Sequence, residues 1–184
     1  MHFFAKLVTV LPAVAGVASA AVIPRDVDSD TMIAQLKDLT DRSQAIDAQT
    51  QTVTPVNSFQ VFPAITQSLS DLIRATSGDA TAAANTQPFA DEATQQSVCD
   101  AFDTFVKAQQ AMLATLIGKA DLASQTGFAY PIAAALRGLE GSDDTYLFEL
   151  LDTVPSCKTD ATEDKNNLDK SLDQAVTTYS NPGF

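Results

Sequence analysis

The stretch VCDAFDTFVKAQQAMLATLI, Val98 to Ile117, decides the fold. Val98, Phe102, Phe105, Gln109, Met112 and Leu116 recur at steps of three and four, and Ala101, Val106, Leu113 and Ile117 widen the stripe. That period places the apolar side chains on one face of a helix turned towards a core. Asp91 and Glu92 lie upstream, and acids there favour a helix start because they oppose the positive end of the backbone dipole. The spacing predicts one long helix over about 91–120.

The same period extends outward in both directions. From Ser29, the residues Met32, Leu36, Leu39, Ile46 and Val53 share a seam that Ser43 and Thr50 fill. A helix over about 29–51 follows, with Ser29 or Asp30 as its N-cap. Val53 to Pro63 reads as a connecting loop carrying Phe59 and Phe62, with Pro63 in the first turn of the next helix, where its missing N–H costs nothing. Ile65, Leu69, Leu72, Ile73 and Thr76 continue that helix, and Gly78-Asp79 offers a stop. The run Ala80 to Asn85 either prolongs the helix or links it to the next. Gly127 breaks the pattern, and Pro131 restarts it with Ile132, Leu136 and Leu139. Gly141-Ser142-Asp143 interrupts or kinks the chain before Tyr146, Leu147, Leu150, Leu151 and Val154, and a final helix runs from about Thr162 to Tyr179. No alternating β-branched segment is present, so the reading is all-α: a bundle of five to six amphipathic helices.

The N-terminus reads differently. A weakly basic start, an apolar stretch from Leu7 to Ala18 and the small-x-small pattern Ala18-Ser19-Ala20 predict a cleaved secretory signal peptide over residues 1–20. The apolar stretch contains Pro12 and Gly16 and is shorter than the ~20 residues that span a bilayer. Residues 21–28 are then a disordered start or a short propeptide ending at Arg25, and residues 29–180 form the helical domain. Cleavage removes His2, the one histidine of the chain, and takes the formal charge from −12 to −13. With no imidazole left, Ser/His/Asp and Cys/His nucleophile arrangements and His-containing zinc sites are eliminated. No apolar C-terminal tail of the kind a glycolipid anchor needs is present, nor is an Asn-x-Ser/Thr sequon; O-linked sugar on Ser or Thr stays open. Cys99 and Cys157 are the two cysteines, and in a secreted chain an even count predicts a disulfide. Closing a loop of 58 residues stabilises by ~4 kcal/mol in the chain-entropy treatment.

Twenty-three acids against eleven bases exclude a nucleic-acid binder, because phosphate neutralisation needs an excess of Lys and Arg. The acid pairs Asp91-Glu92, Asp143-Asp144 and Glu163-Asp164 fall at predicted helix starts and read as caps. No calcium loop, phosphate-cradling glycine motif or tryptophan-lined carboxylate cleft is present, so no catalytic residue, metal or cofactor is assigned. The apolar faces carry more information. Phe59, Phe62, Phe102, Phe105, Phe128, Tyr130, Tyr146 and Phe148 are expected to build the core. The candidates for an apolar ligand or surface are Phe59, Phe62, Leu69, Leu72, Phe102, Phe105, Met112, Leu116, Leu136, Leu139, Tyr146 and Leu150. They either enclose a ligand between helices or lay an apolar face on an oily surface.

A family resemblance narrows this choice. It is carried by Ile33-Ala34-Gln35-Leu36-Lys37-Asp38-Leu39, by Ala64 to Leu69, by Leu72-Ile73-Arg74-Ala75-Thr76, by Val106 to Lys119, by Ile132 to Leu139, by Val154-Pro155 and by Leu172 to Tyr179. In that order the chain resembles the fungal hydrophobic surface-binding protein A and cell wall galactomannoprotein family from about Asp28 to Tyr179. The resemblance implies a secreted, helical, non-enzymatic protein. Such a protein either associates with hydrophobic surfaces and recruits a cutinase-like polyester hydrolase, or binds fatty acids in a cavity of the bundle. A structural or antigenic wall mannoprotein held by O-linked mannan, and a secreted effector, are the alternatives. Two departures are visible: Phe59-Gln60-Val61-Phe62 stands where members often carry a Trp-Gly-Gly-like loop, and many members lack the Cys99 and Cys157 pair.

Overall fold

Asp28 starts the first helix: its carboxylate accepts a hydrogen bond from the Thr31 N–H at 2.7 Å, one residue before the expected cap. The computed structural model describes residues 27–181. The predicted leader and Arg25 lie outside these residues, as do residues 182–184. Six helices follow in order: α1 Ser29–Gln51, α2 Ser58–Ala83, α3 Glu92–Ile117, α4 Ala120–Gln125, α5 Ala129–Thr153 and α6 Lys158–Ser180. Among the described residues there is no strand.

Several boundaries differ from the sequence expectations, each for a local reason. The first connection is only residues 52–57, so Phe59 and Phe62 belong to α2 and Pro63 sits inside the helix. At its sixth position, proline forfeits a single bond, the one its N–H would have made to the Phe59 carbonyl, and it does so on the exposed side. Helix α2 passes Gly78 and runs to Ala83, where Asn85 at φ 69° supplies the left-handed residue that ends a helix. Asp91 caps α3 through the Ala93 and Thr94 N–H groups, as the sequence suggested. Gly127, at φ 81°, makes the turn between α4 and α5. Helix α5 runs unbroken through Gly141, Ser142 and Asp143, so Asp143 is not a helix cap. The start of α6 at Lys158 puts Glu163-Asp164 in its second turn rather than at its N-terminus.

The helices close into a ring. α1 packs between α3 and α2, α2 also packs on α5, α5 on α6, and α6 returns to α3, with short α4 at one end. The apolar seams all turn inward. Met32, Leu36, Leu39 and Ile46 of α1, and Leu168, Leu172 and Tyr179 of α6, are buried as the period required, while Val176, expected in the same seam, is half-buried and its neighbour Ala175 takes the inner position. Hydroxyls within the seams are satisfied by their own helices: Thr40 donates to the Leu36 carbonyl at 2.7 Å, Ser43 to Leu39 at 2.8 Å and Thr50 to Ile46 at 2.7 Å. The seam therefore stays closed without an unpaired polar group at these positions. Gly138 brings α5 close to α2, since a Cβ there would lie 3.1 Å from the Ile73 Cδ1. The Cys99–Cys157 disulfide, with Cα atoms 6.6 Å apart, ties α3 to the residue preceding α6.

Candidate functional site

Five helices around a ring leave a middle that no helix occupies. Neighbouring axes ~8–10 Å apart put each axis of a regular five-membered ring ~7–8.5 Å from its centre, so side chains alone must fill that space. The sequence candidates do so. Phe62, Leu69 and Leu72 enter from α2, Phe102, Phe105, Met112 and Leu116 from α3, and Leu136, Leu139, Tyr146 and Leu150 from α5, all with no exposed surface. Phe59 is the exception among the twelve candidates: it points outward at the end of the ring. The expected core membership of Tyr130 and Phe148 fails in the same way, since both are exposed on the outer face of α5.

The interior is not wholly apolar. Helices α3 and α5 lie across the ring from each other, yet the Gln109 Nε2 donates to the Asp143 Oδ2 at 2.7 Å, with both side chains buried. Two oxygens of this pair, Gln109 Oε1 and Asp143 Oδ1, are buried without a protein partner, and so is the Tyr146 hydroxyl one turn along α5. Burial, the largest influence, drives the Asp143 carboxyl well above the ordinary carboxylate range; the Gln109 hydrogen bond opposes it, and Asp144 and Asp169 add to it. Lys165 opposes the rise, but its ammonium is held by Asp144 at 2.6 Å and Asp169 at 2.8 Å. A neutral Asp143 has one oxygen protonated, and with Oδ2 accepting from Gln109 the proton belongs on Oδ1. Burial likewise raises Tyr146, with help from Asp79 of α2, and the Asp79 carboxyl is itself pushed up to about 6 by burial and by Asp38. Sequence reasoning placed Gln109 in the α3 seam but treated Asp143 as a surface cap. The missed signal was position: Asp143 falls four residues after Leu139 and three before Tyr146, on the buried face of a continuous helix.

Grooves run along the outside between neighbouring helices, two of them with small or apolar linings. One of 560 Å³ lies between α2 and α5, floored by small residues such as Ala80, Ala84, Gly138 and Gly141. A second, of 220 Å³, lies between α1 and α3 against Ile33, Lys37, Thr40, Ala101 and Thr104. Among the described residues no group of three His, Cys, Asp or Glu side chains is placed to hold a metal ion, and no helix is long and apolar enough to cross a membrane.

The architecture is thus an all-helical, disulfide-stapled ring with a side-chain-filled apolar interior crossed by one buried polar pair. Solved structures with this fold include AfMP4p in complex with palmitic acid, 15% identical, with a TM-score of 0.76 over 83% of this chain and 99% of that one. Ligand binding domain 1 of the Penicillium marneffei MP1 protein, complexed with arachidonic acids, is 13% identical, with a TM-score of 0.74 over 84% of this chain and 99% of that one. No protein-family model matches the chain, and no curated protein matches it.

Proposed function

We propose that this protein is a secreted, non-enzymatic binder of fatty-acyl lipids and that the ring interior is where the acyl chain goes. The observation that carries the reading is the nearly end-to-end likeness to two folds solved with palmitic and arachidonic acids, in a chain whose own apolar candidates converge from α2, α3 and α5 on one interior. Because the interior is already filled, an acyl chain enters such a space only as the helices spread and the side chains between them repack. Met112 is suited to repacking, because an unbranched thioether with three rotatable bonds adapts to irregular space, and Phe102 and Phe105 offer large apolar surfaces for the chain to lie against. Apolar burial supplies the affinity at ~0.8 kcal/mol per methylene, and most of the charge stays on the outer surface as the counterweight that keeps the loaded protein dispersed.

Hydrophobic-surface association and recruitment of a cutinase-like hydrolase extend the same proposal, and a structural cell wall mannoprotein or a secreted effector is its alternative. The first experiment is native mass spectrometry of protein purified from culture medium, together with titration of delipidated protein with palmitate. One acyl chain per protein supports the reading; absence of lipid in both overturns it. The mature N-terminus of the same preparation reports leader removal, and a start at residue 21 or 26 is expected.

A further inference from the structure

The two ends of the ring differ in charge. One end gathers the starts of α1, α3 and α6 with the close of α5, and carries Asp28, Asp30, Asp91, Glu92, Asp152 and Asp160. Backbone bonds hold it together, from the Phe89 N–H to the Thr153 carbonyl at 3.0 Å and from the Val27 N–H to the Thr86 hydroxyl at 3.2 Å. The other end joins the α1–α2 connection, the close of α3, α4, the start of α5 and the close of α6, and among its turns carries Lys119 and Asp121. From Ala48 to Ser70, and again from Leu122 to Leu136, no residue is charged, in a chain with 34 charged residues among 184. These two charge-free runs meet through aromatic rings: Phe128 lies 6.3 Å from Phe59, edge-on, and 5.7 Å from Phe62. The rings form a path from exposed Phe59 through half-buried Phe128 to fully buried Phe62. Close to its mouth in sequence are Val56, 95% exposed and three residues before Phe59, and Tyr130, 69% exposed and two residues after Phe128. Lys119 is beside it, with its ammonium on the Val53 carbonyl at 2.9 Å.

We propose that this charge-poor end is a docking face for an uncharged lipid bilayer surface, by which the protein meets the membrane that supplies or receives its ligand. The ligand half of that statement rests on the acyl-binding reading; the docking half does not. Entering the headgroup zone is costly for a carboxylate and favourable for Phe, Tyr and Val, and acids are missing from both runs, Asp121 of α4 standing at the edge of the second. A second copy is a poor occupant. Phe59, Tyr130 and Val56 together expose roughly 400 Å², about half of what each partner contributes to a stable protein interface. A bilayer needs no complementary partner surface. The net charge of −12 further selects a neutral lipid surface over an anionic one, which would repel the rest of the molecule.

Flotation with phosphatidylcholine vesicles tests this. Wild-type protein is expected to float, with binding insensitive to salt and weakened when phosphatidylserine is added. Val56→Asp, at a side chain almost wholly in solvent, and Tyr130→Ser each reduce partition, the former by at least about tenfold, while the equilibrium affinity for palmitate in solution is unchanged. Wild-type protein that binds palmitate but does not float, or Val56→Asp protein that floats as well as wild type, overturns the docking face. So does a dimer that the same substitutions dissolve. Vesicle binding that is lost in Val56→Asp, in a protein that binds no palmitate, upholds the docking face and overturns the acyl-binding reading instead.

Discussion

Replacing Asp143 with Asn tests the polar pair that crosses the ring. The folded protein holds this carboxyl well above its ordinary value because it is buried, whereas in the unfolded chain it titrates near ~3.9. Between those two values the folded state binds the extra proton, so stability falls as pH rises through that window and levels off above the folded value. One proton corresponds to a slope of ~1.4 kcal/mol per pH unit. For a domain of this size that is roughly 3–6 °C in Tm per pH unit. Asn keeps the shape, accepts from Gln109 Nε2 through its own oxygen, and presents an N–H₂ where Asp143 Oδ1 and Gln109 Oε1 now lack partners. At pH 3, where the carboxyl is protonated in both states, Asp143→Asn should match wild type within ~1 kcal/mol. The variant should then gain on wild type as pH rises, by the slope above. Urea denaturation of both proteins from pH 3 to pH 8 reads the difference directly. A difference that does not change with pH, or one that moves in favour of wild type as pH rises, would falsify the neutral Asp143.

Other perturbations have equally definite outcomes. Removing the disulfide as Cys99→Ala with Cys157→Ala should cost ~4 kcal/mol from the 58-residue loop, seen as a Tm drop that reductant reproduces in wild type. Asp79→Asn should stabilise the protein by about 1 kcal/mol at pH 7, after allowing for solvent screening of this half-buried group. Because its folded value is near 6, above the unfolded one, that gain should vanish by pH 4. Tyr179→Phe removes a buried hydroxyl that donates to the Leu116 carbonyl at 2.6 Å, and thermal denaturation should report a loss of ~1 kcal/mol.

The inward faces of α1, α3 and α6 were legible in the sequence because each repeats at the helical period over several turns, and burial follows that period along α1 and α3 and, apart from half-buried Val176, along α6. Where the sequence misled, a local signal had been outweighed. Pro63 looked like a helix start, but a proline one turn in costs one bond while Phe62 and Ile65 gain full burial. Gly141-Ser142-Asp143 looked like a break, yet Ser142 bonds back to the Leu139 carbonyl at 2.9 Å and Asp143 pairs with Gln109. Long-range pairing of that kind leaves no mark on either segment alone. Composition likewise could not separate inward Phe62 from outward Phe59, Tyr130 and Phe148. Their side is set by which helices flank α2 and α5, and by where the ring ends.

The most direct test of acyl binding inside the ring is a methyl-resolved NMR titration of delipidated protein with palmitate. The account predicts saturation at one acyl chain per protein, with the largest shifts and ligand cross-peaks at Met112, Leu116, Leu136 and Leu139, which face the interior from α3 and α5. Unperturbed interior methyls, or shifts confined to the outer grooves near Ile33 and Ala84, would contradict it.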